Sequence, residues 1–514
     1  MSGSRWLLAA FLTLGAILRV HGLTDHELWI DEYGTWWAIA GDTWGDCWRR
    51  VLEIHGQSPF YYLVTRLCVD LLGIGTASLR LPSLAAGLGL LALAHPLALR
   101  IFRDRRIALL CVAVLAVDDR LIYYSQEARP YALALLCAAG SFYSYAVLLE
   151  RGGRGARLAY VATTALAYYA HYLFGVVLVV QALHFALQRP WTAARWRSWL
   201  GTLALLAAAL APGLGQLLSL FRRRETVDWI APSSGLLAGL EAAGELLDPV
   251  ALVTVGGLVL LAWRRRGLEL PPREARPGIV LLWFAVPFLL ITALPTVLGV
   301  SLLHARYLVV AAPAVPLLYG ALLAMPRGGP LMRALPLVVY FGLVISLQLA
   351  PLVRRDGGPF WWFLQHGWES ATNELVRGYR DGDLILYRTG FVELDDVVRG
   401  QASGMTIEFV EWPLLAHLPK DREFSRRPLP YSDTPEMRAR LASMLAEAPA
   451  ARRVWVLGLH PDDTGRGPVT GLLGMALQGR PMQRLASSHY GVVQLFLLRN
   501  PGAGGEGGSH PRPR

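Results

Sequence analysis

Near its start the chain reads WLLAAFLTLGAILRV at residues 6–20 and then LWIDEYGTWW at residues 28–37. The first string is apolar and, with its flanks, is long enough to cross a membrane as a helix. We expect it to be a retained first span, since no small-residue cleavage site stands at a convincing position. The second string places Asp31 and Glu32 just outside that span, among tryptophans. Carboxylates at a membrane surface are costly to desolvate and usually have a function, so this pair is the first candidate for a site.

The composition indicates a membrane protein. The chain has 514 residues, of which 54% are hydrophobic and only 17% are charged, whereas a soluble domain carries about 25% charged residues. Its long uncharged runs predict a polytopic α-helical membrane protein, whose backbone hydrogen bonds are satisfied within helices. The formal net charge of +11 comes from arginines in short loops between apolar runs. That pattern is typical of cytoplasmic loops and differs from a nucleic-acid-binding face, so no nucleic-acid partner is predicted.

The cysteines do not indicate a zinc site. Cys111 and Cys137 lie in predicted spans and are expected to be buried apolar residues. Cys47 and Cys68 lie in the first external segment, where their spacing leaves a disulfide open.

Arginine-rich loops set the predicted topology. Five of them lie between apolar runs, at Arg103, Arg151, Arg189, Arg264 and Arg327. If the apolar segment 59–75 crossed the membrane, all five loops would face outward. If that segment lies in the interface, all five face the cytoplasm, as the charge rule requires. Arg66 and Asp70 within it also suit an interfacial amphipathic helix.

We therefore predict about eleven spans, with the N-terminus in the cytoplasm. After residues 6–20 the spans are 81–102, 107–124, 131–149, 158–169, 175–187, 200–220, 249–263, 279–298, 307–324 and 334–352. The membrane domain then occupies residues 1–352. An external loop at 23–79 contains the interfacial helix at 59–75.

The chain after residue 352 has a different character, with more charge and shorter apolar runs. Residues 383–387, 453–457 and 492–498 have the pattern of strands, and Thr434-Pro435 is a typical helix start. One apolar face of that helix is formed by Met437, Leu441, Met444 and Leu445. We expect a small extracytoplasmic α/β domain at 353–500 and a disordered Gly/Pro-rich tail at 501–514.

Two acidic clusters are candidates for catalysis. Besides Asp31 and Glu32, the run DDRLIYYSQEARPY occupies residues 118–131, at the outer end of the third predicted span. A carboxylate there can act as a general base toward an acceptor hydroxyl. The second cluster contributes four candidate site residues: Asp119, Tyr124, Glu127 and Arg129. The plain alternatives are solvated loop acids and a polar turn between two spans.

A cation that stabilises a departing phosphate has two candidate sources. Arg306 stands in the run HARY at residues 304–307, at the outer start of a span. Arg222, Arg223 and Arg224 follow another span outward, against the charge rule, which suggests an anionic partner. Contact with lipid headgroups is the alternative for this triplet. Acceptor or substrate positioning is a further role. Its candidates are His55 and His304, together with Asp119, Tyr124 and Arg129 of the second acidic cluster.

Together these motifs resemble those of GT-C-fold glycosyltransferases. The likeness covers about the first 350 residues. It rests on the acidic pair, HGQSPFYY at 55–62, SLRLPS at 78–83, YYSQEARPY at 123–131 and HARYL at 304–308. The chain is similar to bacterial members related to protein O-mannosyltransferases and to the lipid A aminoarabinose transferase. It departs from them at Gln57-Ser58-Pro59, where a doubled proline is frequent, and at Asp118-Asp119, where a serine–proline pair is common.

The resemblance implies an inverting transfer of a sugar from a polyprenyl-phosphate carrier. It makes Asp31 the catalytic acid–base residue and puts Glu127 near the acceptor or a metal. Metal dependence differs within the fold, so a divalent cation stays open. The implied partners are a polyprenyl-phosphate sugar and a glycan, lipid or protein acceptor, at the outer face of a bacterial cytoplasmic membrane.

Two other classes of protein remain in view. A polytopic transporter or lipid flippase would favour mid-span charges and inverted halves, whereas the polar residues here cluster at the outer ends of spans. A non-catalytic assembly subunit on the same fold differs from the enzyme only in lacking transfer.

Overall fold

The computed structural model describes residues 2–55, 57–188, 192–222, 244, 247–264, 267–272, 274–298, 305–327, 329–350, 366–447, 453–459 and 483–499. Contacts divide the chain into two compact units. The helical unit comprises Met1–Leu23 and Ala38–Pro359. The α/β unit comprises Thr24–Trp37 and Phe360–Arg514.

The helical unit is a set of largely apolar helices. The helices before residue 153 are α1 (Ser2–Val20), α3 (Trp44–Arg50), α4 (Phe60–Leu72), α5 (Thr76–Phe102), α6 (Arg105–Val117), α7 (Asp119–Ser125) and α8 (Tyr131–Arg151). Those that follow are α9 (Gly153–Ala170), α10 (Val176–Leu187), α11 (Ala193–Leu210), α12 (Leu214–Arg222), α13 (Pro249–Arg264), α14 (Gly278–Leu298), α15 (Ala305–Leu308), α16 (Ala314–Ala324) and α17 (Pro330–Val344). Helix α2 (Ile30–Ile39) lies mostly in the α/β unit.

By length and composition, four helical stretches among the described residues could cross a membrane. They are Thr76–Phe102, Tyr131–Arg151, Ala193–Ser219 and Pro330–Leu349. Four shorter apolar helices accompany them, at Tyr172–Leu187, Val250–Arg264, Gly278–Ala293 and Ala314–Ala324. The predicted, mostly helical architecture with apolar helices is confirmed, and the count of about eleven spans stays a prediction.

Within the described residues, the helices of three predicted spans are interrupted. In the span predicted at 200–220, a 3₁₀ turn at Ala211–Gly213 separates α11 from α12. In the span predicted at 107–124, α6 ends at Val117, and the Asp118 Oδ1 accepts a hydrogen bond from the Leu121 backbone N at 3.0 Å. Aspartate at such a position favours a new helix start, so two helices, α6 and α7, occupy this predicted span. In the span predicted at 307–324, a 3₁₀ turn at Val309–Ala311 and Pro313 separate α15 from α16.

The segment predicted as an amphipathic helix at 59–75 forms α4. Its buried face carries Tyr61, Tyr62 and Thr65, while Leu71 on the other face is 73% exposed. Arg66 fixes the helix to the preceding loop, because its Nη1 donates to the Ile39 carbonyl oxygen at 2.8 Å. The helix is therefore amphipathic, as the sequence indicates. Its placement at the membrane interface stays a prediction.

The α/β unit contains one five-stranded sheet. Its strands are β1 (Leu384–Arg388), β2 (Arg426–Pro428), β3 (Arg453–Leu459), β4 (Gln483–Tyr490) and β5 (Val493–Arg499). They lie in the order β2-β1-β3-β5-β4, where β1 is parallel to β2 and β3, and β5 is antiparallel to β3 and β4. The helices of this unit are α18 (Trp368–Gly378), α19 (Leu394–Arg399), α20 (Gly404–Leu415) and α21 (Pro435–Glu447).

The predicted small α/β domain is confirmed, with strands close to 383–387, 453–457 and 492–498. Its core joins Leu384, Leu386 and Val456 of the sheet to Leu441 of α21. The helix predicted at Thr434 is also present, and the Thr434 Oγ1 accepts a hydrogen bond from the Met437 backbone N at 3.2 Å. The predicted tail at 501–514 lies outside the described residues.

Candidate active site

Asp31 and Glu32 occupy the first turn of α2. The positive end of a helix dipole favours carboxylates at that position. Glu32 is only 1% exposed, and its Oε2 accepts a hydrogen bond from the Trp29 backbone N at 3.2 Å. Asp31 is half-buried. Glu32 therefore stabilises the start of the helix, and Asp31 is the carboxylate of the pair that keeps access to the surface.

An aromatic clamp fixes α2 within the α/β unit. We define it as Tyr33, Trp36 and Trp37 of α2, which pack against Phe409, Trp412 and His417. The Tyr33 hydroxyl hydrogen-bonds the His417 Nε2 at 2.8 Å, and the Trp37 and Phe409 rings are 5.1 Å apart. Such aromatic pairs contribute about 0.5–1.5 kcal/mol each beyond the area that they bury. The acidic pair thus lies on a helix whose orientation is set by two contacts. One is with α20, and the other is with His417, two residues after the end of α20.

The chain just before α2 is held by Glu27. Its Oε2 accepts a hydrogen bond from the Glu369 backbone N at 2.8 Å, and its Oε1 accepts one from the Ser370 backbone N at 3.2 Å. Glu27 thereby satisfies two of the amide groups that the first turn of α18 leaves unpaired. Residues 27–37 are therefore fixed at both ends.

His366 is a titratable side chain within electrostatic range of Asp31. Its ring centre lies 6.2 Å from that of Trp29, it is 4% exposed, and neither ring nitrogen has a hydrogen-bond partner among the described residues. Burial lowers the pKa of His366 to about 3, against the opposing field of Asp31. His366 is therefore neutral at physiological pH, and it brings no positive charge that would weaken Asp31 as a base.

In the helical unit, the second acidic cluster stands at the break between α6 and α7. The Arg120 Nη2 lies 3.3 Å from the Asp118 Oδ2, and Asp119 is 3% exposed. Fully buried Arg19 reaches the same break, where its Nη2 donates to the Leu115 carbonyl oxygen at 3.0 Å. The break in the helix is thus stabilised by side chains that satisfy its free backbone groups.

The loop after α7 is tied to the end of α1. The Gln126 Nε2 donates to the carbonyl oxygens of Arg19 at 3.0 Å and of His21 at 2.7 Å. A second connection runs from the Tyr61 hydroxyl to the Ser83 Oγ, and from that Oγ to the Arg129 carbonyl oxygen, both at 3.0 Å. The loop that carries Glu127 is therefore held by α1, α4 and α5.

Aromatic rings line up beside this loop. The Tyr124 and Tyr131 ring centres are 5.3 Å apart, and Tyr131 stacks on His171 at 5.5 Å. The His171 Nδ1 accepts a hydrogen bond from the Leu173 backbone N at 3.3 Å. Burial, together with the charge of Arg129, lowers the pKa of His171 to about 3. His171 is thus neutral, with its proton on Nε2.

Tyr131 lies within electrostatic range of the charged candidates of the helical unit. Its hydroxyl interacts electrostatically with Arg306, Arg129 and Glu127. Glu127 is 3% exposed, whereas Arg129 and Arg306 are half-buried. The structure therefore brings Arg306 near the loop that carries Tyr124, Glu127 and Arg129. Tyr124 and Arg306 are 182 positions apart in the sequence. Asp31 and Glu32 belong to the other unit.

Some of the predicted site residues are not among those that the structure describes. Arg223, Arg224 and His304 lie outside the described residues, as do the side chains of Arg222 and His55. Among the residues that the structure does describe, no three His, Cys, Asp or Glu side chains are grouped to hold a metal ion.

Four contributors were not predicted from the sequence: Arg19, Glu27, Gln126 and His366. Arg19 carried a usable signal, since a charged residue inside an apolar run is a functional or structural candidate by default. Gln126 stands in the quoted run at 123–131, which did not indicate its bonds to distant backbone groups. Glu27 also acts on backbone groups distant in sequence, and His366 is isolated in the chain, so no local pattern marked either of them.

The fold defined by these two units is that of the GT-C glycosyltransferases. No protein-family model matches the chain, and no curated protein matches its sequence. Solved structures do match it. ArnT from Cupriavidus metallidurans, the lipid A aminoarabinose transferase, is similar in the apo state at 15% identity and a TM-score of 0.54, over 99% of this chain and 100% of that one.

ArnT bound to undecaprenyl phosphate gives a TM-score of 0.56 at 14% identity, over 97% of this chain and 99% of that one. The apo oligosaccharyltransferase of Archaeoglobus fulgidus gives 0.53 at 11% identity, over 94% of this chain and 73% of that one. The resemblance to GT-C-fold glycosyltransferases is therefore confirmed for the fold.

Proposed function

We propose that the protein is a membrane glycosyltransferase that moves a sugar from a polyprenyl phosphate to an acceptor hydroxyl. The observation that carries this proposal is the likeness to ArnT over 97% of the chain, in a structure of ArnT that contains undecaprenyl phosphate. That likeness extends through the C-terminal sheet as well as the helices. A half-buried carboxylate at a fixed helix start supplies the chemistry that such a reaction needs.

Asp31 is assigned as the general base. The acceptor oxygen attacks the anomeric carbon of the sugar while its proton passes to the Asp31 carboxylate. The bond between that carbon and the phosphate oxygen breaks on the opposite face, so the configuration inverts and the polyprenyl phosphate leaves with the bonding electron pair. The neutral state of His366 supports the assignment, because a neighbouring cation would lower the basicity of the carboxylate.

Arg306 is assigned to the leaving phosphate. A guanidinium pairs with phosphate through two parallel hydrogen bonds, and Arg306 is half-buried in the first turn of α15. Its proximity to Tyr131, shared with Arg129, gives this part of the helical unit a local excess of positive charge beside Glu127. Glu127, Tyr124, Arg129 and Asp119 are assigned to acceptor positioning, and Glu32 to holding Asp31. No divalent cation is assigned.

The membrane topology is part of the proposal. About eleven spans, a cytoplasmic N-terminus and an extracytoplasmic α/β unit put the reaction on the outer face of a bacterial cytoplasmic membrane. The sidedness of the arginine-rich loops supports this arrangement. Single cysteines placed beside Arg103 and Arg151 should react only with reagents that reach the cytoplasm, and labelling of both from outside would overturn it.

Mass spectrometry of envelope lipids, polysaccharides and glycoproteins tests the function. We expect a sugar modification in cells with the wild-type protein that is lost both without the protein and with Asp31→Asn. A transporter would change the distribution of a lipid-linked sugar across the membrane and leave its linkage intact. An assembly subunit would keep the modification in Asp31→Asn cells.

A further inference from the structure

A second buried polar network lies in the helical unit, among α8, α9 and α10. The Tyr160 hydroxyl donates to the Gln181 Oε1 at 2.8 Å, and the Gln181 Nε2 donates to the Ser141 Oγ at 2.9 Å. The Tyr145 hydroxyl hydrogen-bonds the His184 Nδ1 at 2.9 Å. Polar side chains inside an apolar bundle are expensive and are functional candidates by default.

This network is separate from the candidate active site. Helix α8 begins at Tyr131, beside Glu127 and Arg129, and runs to Arg151. Tyr145 lies fourteen residues beyond Tyr131, which corresponds to roughly 21 Å along a helix axis. The polar network is therefore too far from Tyr131 to take part in the proposed glycosyl transfer, and its role is still to be assigned.

Arginines surround the far end of the network. Arg195 donates to the Gln188 Oε1 at 3.0 Å and stacks over Phe185, with its guanidinium carbon 4.6 Å from the ring centre. Arg195 and Arg276 both act electrostatically on His184 and on Tyr145. One helical turn along α11, Ser198 accepts a hydrogen bond from the Arg157 Nη2 at 2.9 Å.

Two of these arginines have unused donors in buried positions. Among the described residues, the Arg276 Nη1 and the Arg157 Nε have no hydrogen-bond partner, and neither side chain forms a salt bridge. A buried unpaired donor costs free energy, so a bound acceptor is expected. The Arg276 backbone N donates to the carbonyl oxygen of Ile101 at 2.8 Å, and the residue next to Ile101, Arg100, by contrast pairs with Glu150 at 2.6 Å.

The two loop segments that carry Arg195 and Arg276 contain few carboxylates to balance their charge. Residues 188–198 and 264–277 together contain eight arginines and two glutamates. One glutamate, Glu269, lies 3.6 Å from Arg327, and the other, Glu274, is exposed. Among the described residues, neither of these glutamates pairs with Arg276 or Arg157, and we expect their partner to be an anion from outside the chain.

The apolar surroundings favour a lipid as the source of that anion. On α10, Leu183 is 40% exposed and Leu187 is 65% exposed, and on α11 Leu200 is 56% exposed. Exposed leucines of this kind on membrane helices contact acyl chains. Basic pockets between membrane helices bind the headgroups of anionic lipids.

We propose that Arg276, Arg157 and Arg195 form a binding site for the phosphate of an anionic phospholipid, at the ends of α9, α10 and α11 remote from Tyr131. The phosphate oxygens accept the unused guanidinium hydrogens of Arg276 and Arg157, and Arg195 adds its positive charge to the site. The acyl chains lie along the exposed leucines. The bound lipid joins α9, α10 and α11 at one point.

Native mass spectrometry of the full-length protein tests this site. The purified protein is incubated in detergent with phosphatidylglycerol, with phosphatidylcholine as the neutral comparison, and the retained lipid is counted. Arg276→Gln should reduce phosphatidylglycerol retention about tenfold or more, as expected for the loss of a charged hydrogen bond. Arg105→Gln changes an exposed arginine of another loop and is the control, expected to match the wild type.

Competition experiments distinguish a phospholipid from other sources of phosphate. Inorganic phosphate and undecaprenyl phosphate are added as competitors, and neither should displace phosphatidylglycerol at equal concentration. Displacement by inorganic phosphate would mean that the site binds a free anion. Displacement by undecaprenyl phosphate would mean that the site binds the carrier lipid. Either result overturns the proposal. Equal retention by Arg276→Gln and wild type also overturns it. Should Arg276→Gln fail to fold, Arg157→Gln provides the same comparison.

Discussion

Gly87 is the position where a single methyl group should move the second acidic cluster. It lies on α5 against α7, and a Cβ added there would be 2.0 Å from the Ser125 Oγ and 2.6 Å from the Ser125 Cβ. Carbon atoms in contact normally stay about 3.5–4.0 Å apart. Rotation of the Ser125 hydroxyl relieves only the first overlap, so Gly87→Ala requires α7 to shift by about 1 Å.

That shift reaches the candidate site. Helix α7 begins at Asp119, contains Tyr124, and leads directly into Gln126 and Glu127. Overpacking should cost about 1–3 kcal/mol of unfolding free energy. A displacement of 1 Å at a catalytic site can lower turnover by about 10²-fold. We therefore expect Gly87→Ala to fold, to melt a few degrees lower, and to transfer sugar about 10²-fold more slowly.

A second substitution makes this prediction specific. Ser125→Gly removes both overlapping atoms, and the closest remaining Ser125 atom, its Cα, would be 3.4 Å from the new Cβ. The double variant should recover most of the lost turnover, despite about 1 kcal/mol for a glycine inside a helix. Gly89→Ala, which meets only the flexible tip of Leu136 at 3.0 Å, is the matched control. Turnover is measured in purified protein with the polyprenyl-phosphate sugar identified by envelope mass spectrometry. Wild-type turnover in Gly87→Ala, or no recovery in the double variant, would refute the reasoning.

Two further predictions concern Arg306 and His366. Arg306→Lys keeps the charge but loses the paired hydrogen bonds to phosphate, so donor affinity and turnover should both fall, and wild-type values would remove Arg306 from the site. The pKa of His366 is about 3 in the folded protein against an ordinary 6.5, so the unfolded chain binds the extra proton and stability falls as pH drops below 6.5. By pH 4.5 this amounts to about 2–3 kcal/mol of unfolding free energy. Thermal unfolding of His366→Gln should therefore depend less steeply on pH, although His417, whose pKa burial lowers to about 4, still contributes; an unchanged slope would contradict this reasoning.

Much of the fold could be predicted from hydrophobic pattern and charge. Apolar runs located most helices, and the strands at 384–388, 453–459 and 493–499 were visible because they are largely buried. Two strands were missed for physical reasons. Strand β2 has three residues, and β4 is mostly exposed along its length, so neither has a core-facing apolar pattern. The break at Asp118 was missed because the apolar run continues on both sides of it.

The candidate site was predicted in part. Local motifs marked Asp31, Glu127 and Arg306, because acids and arginines at the ends of apolar runs stand out. The motif around Asp31 could not indicate that residues 24–37 belong to the α/β unit and contact its helices α18 and α20. Contacts such as Trp37 with Phe409 join residues that are distant in sequence, and each ring alone has only the pattern of an ordinary apolar residue.

The central claim is that Asp31 is the general base, and turnover of Asp31→Asn tests it most directly. Asparagine keeps the shape of the side chain and removes the base, so sugar transfer should fall by about 10²–10⁴-fold while donor binding and membrane insertion persist. Glu32→Gln should cost less, since Glu32 holds the helix start, and Asp42→Asn, an exposed acid nearby, should be close to neutral. Normal transfer by Asp31→Asn together with an inactive Glu127→Gln would place the base on the second cluster and contradict the assignment.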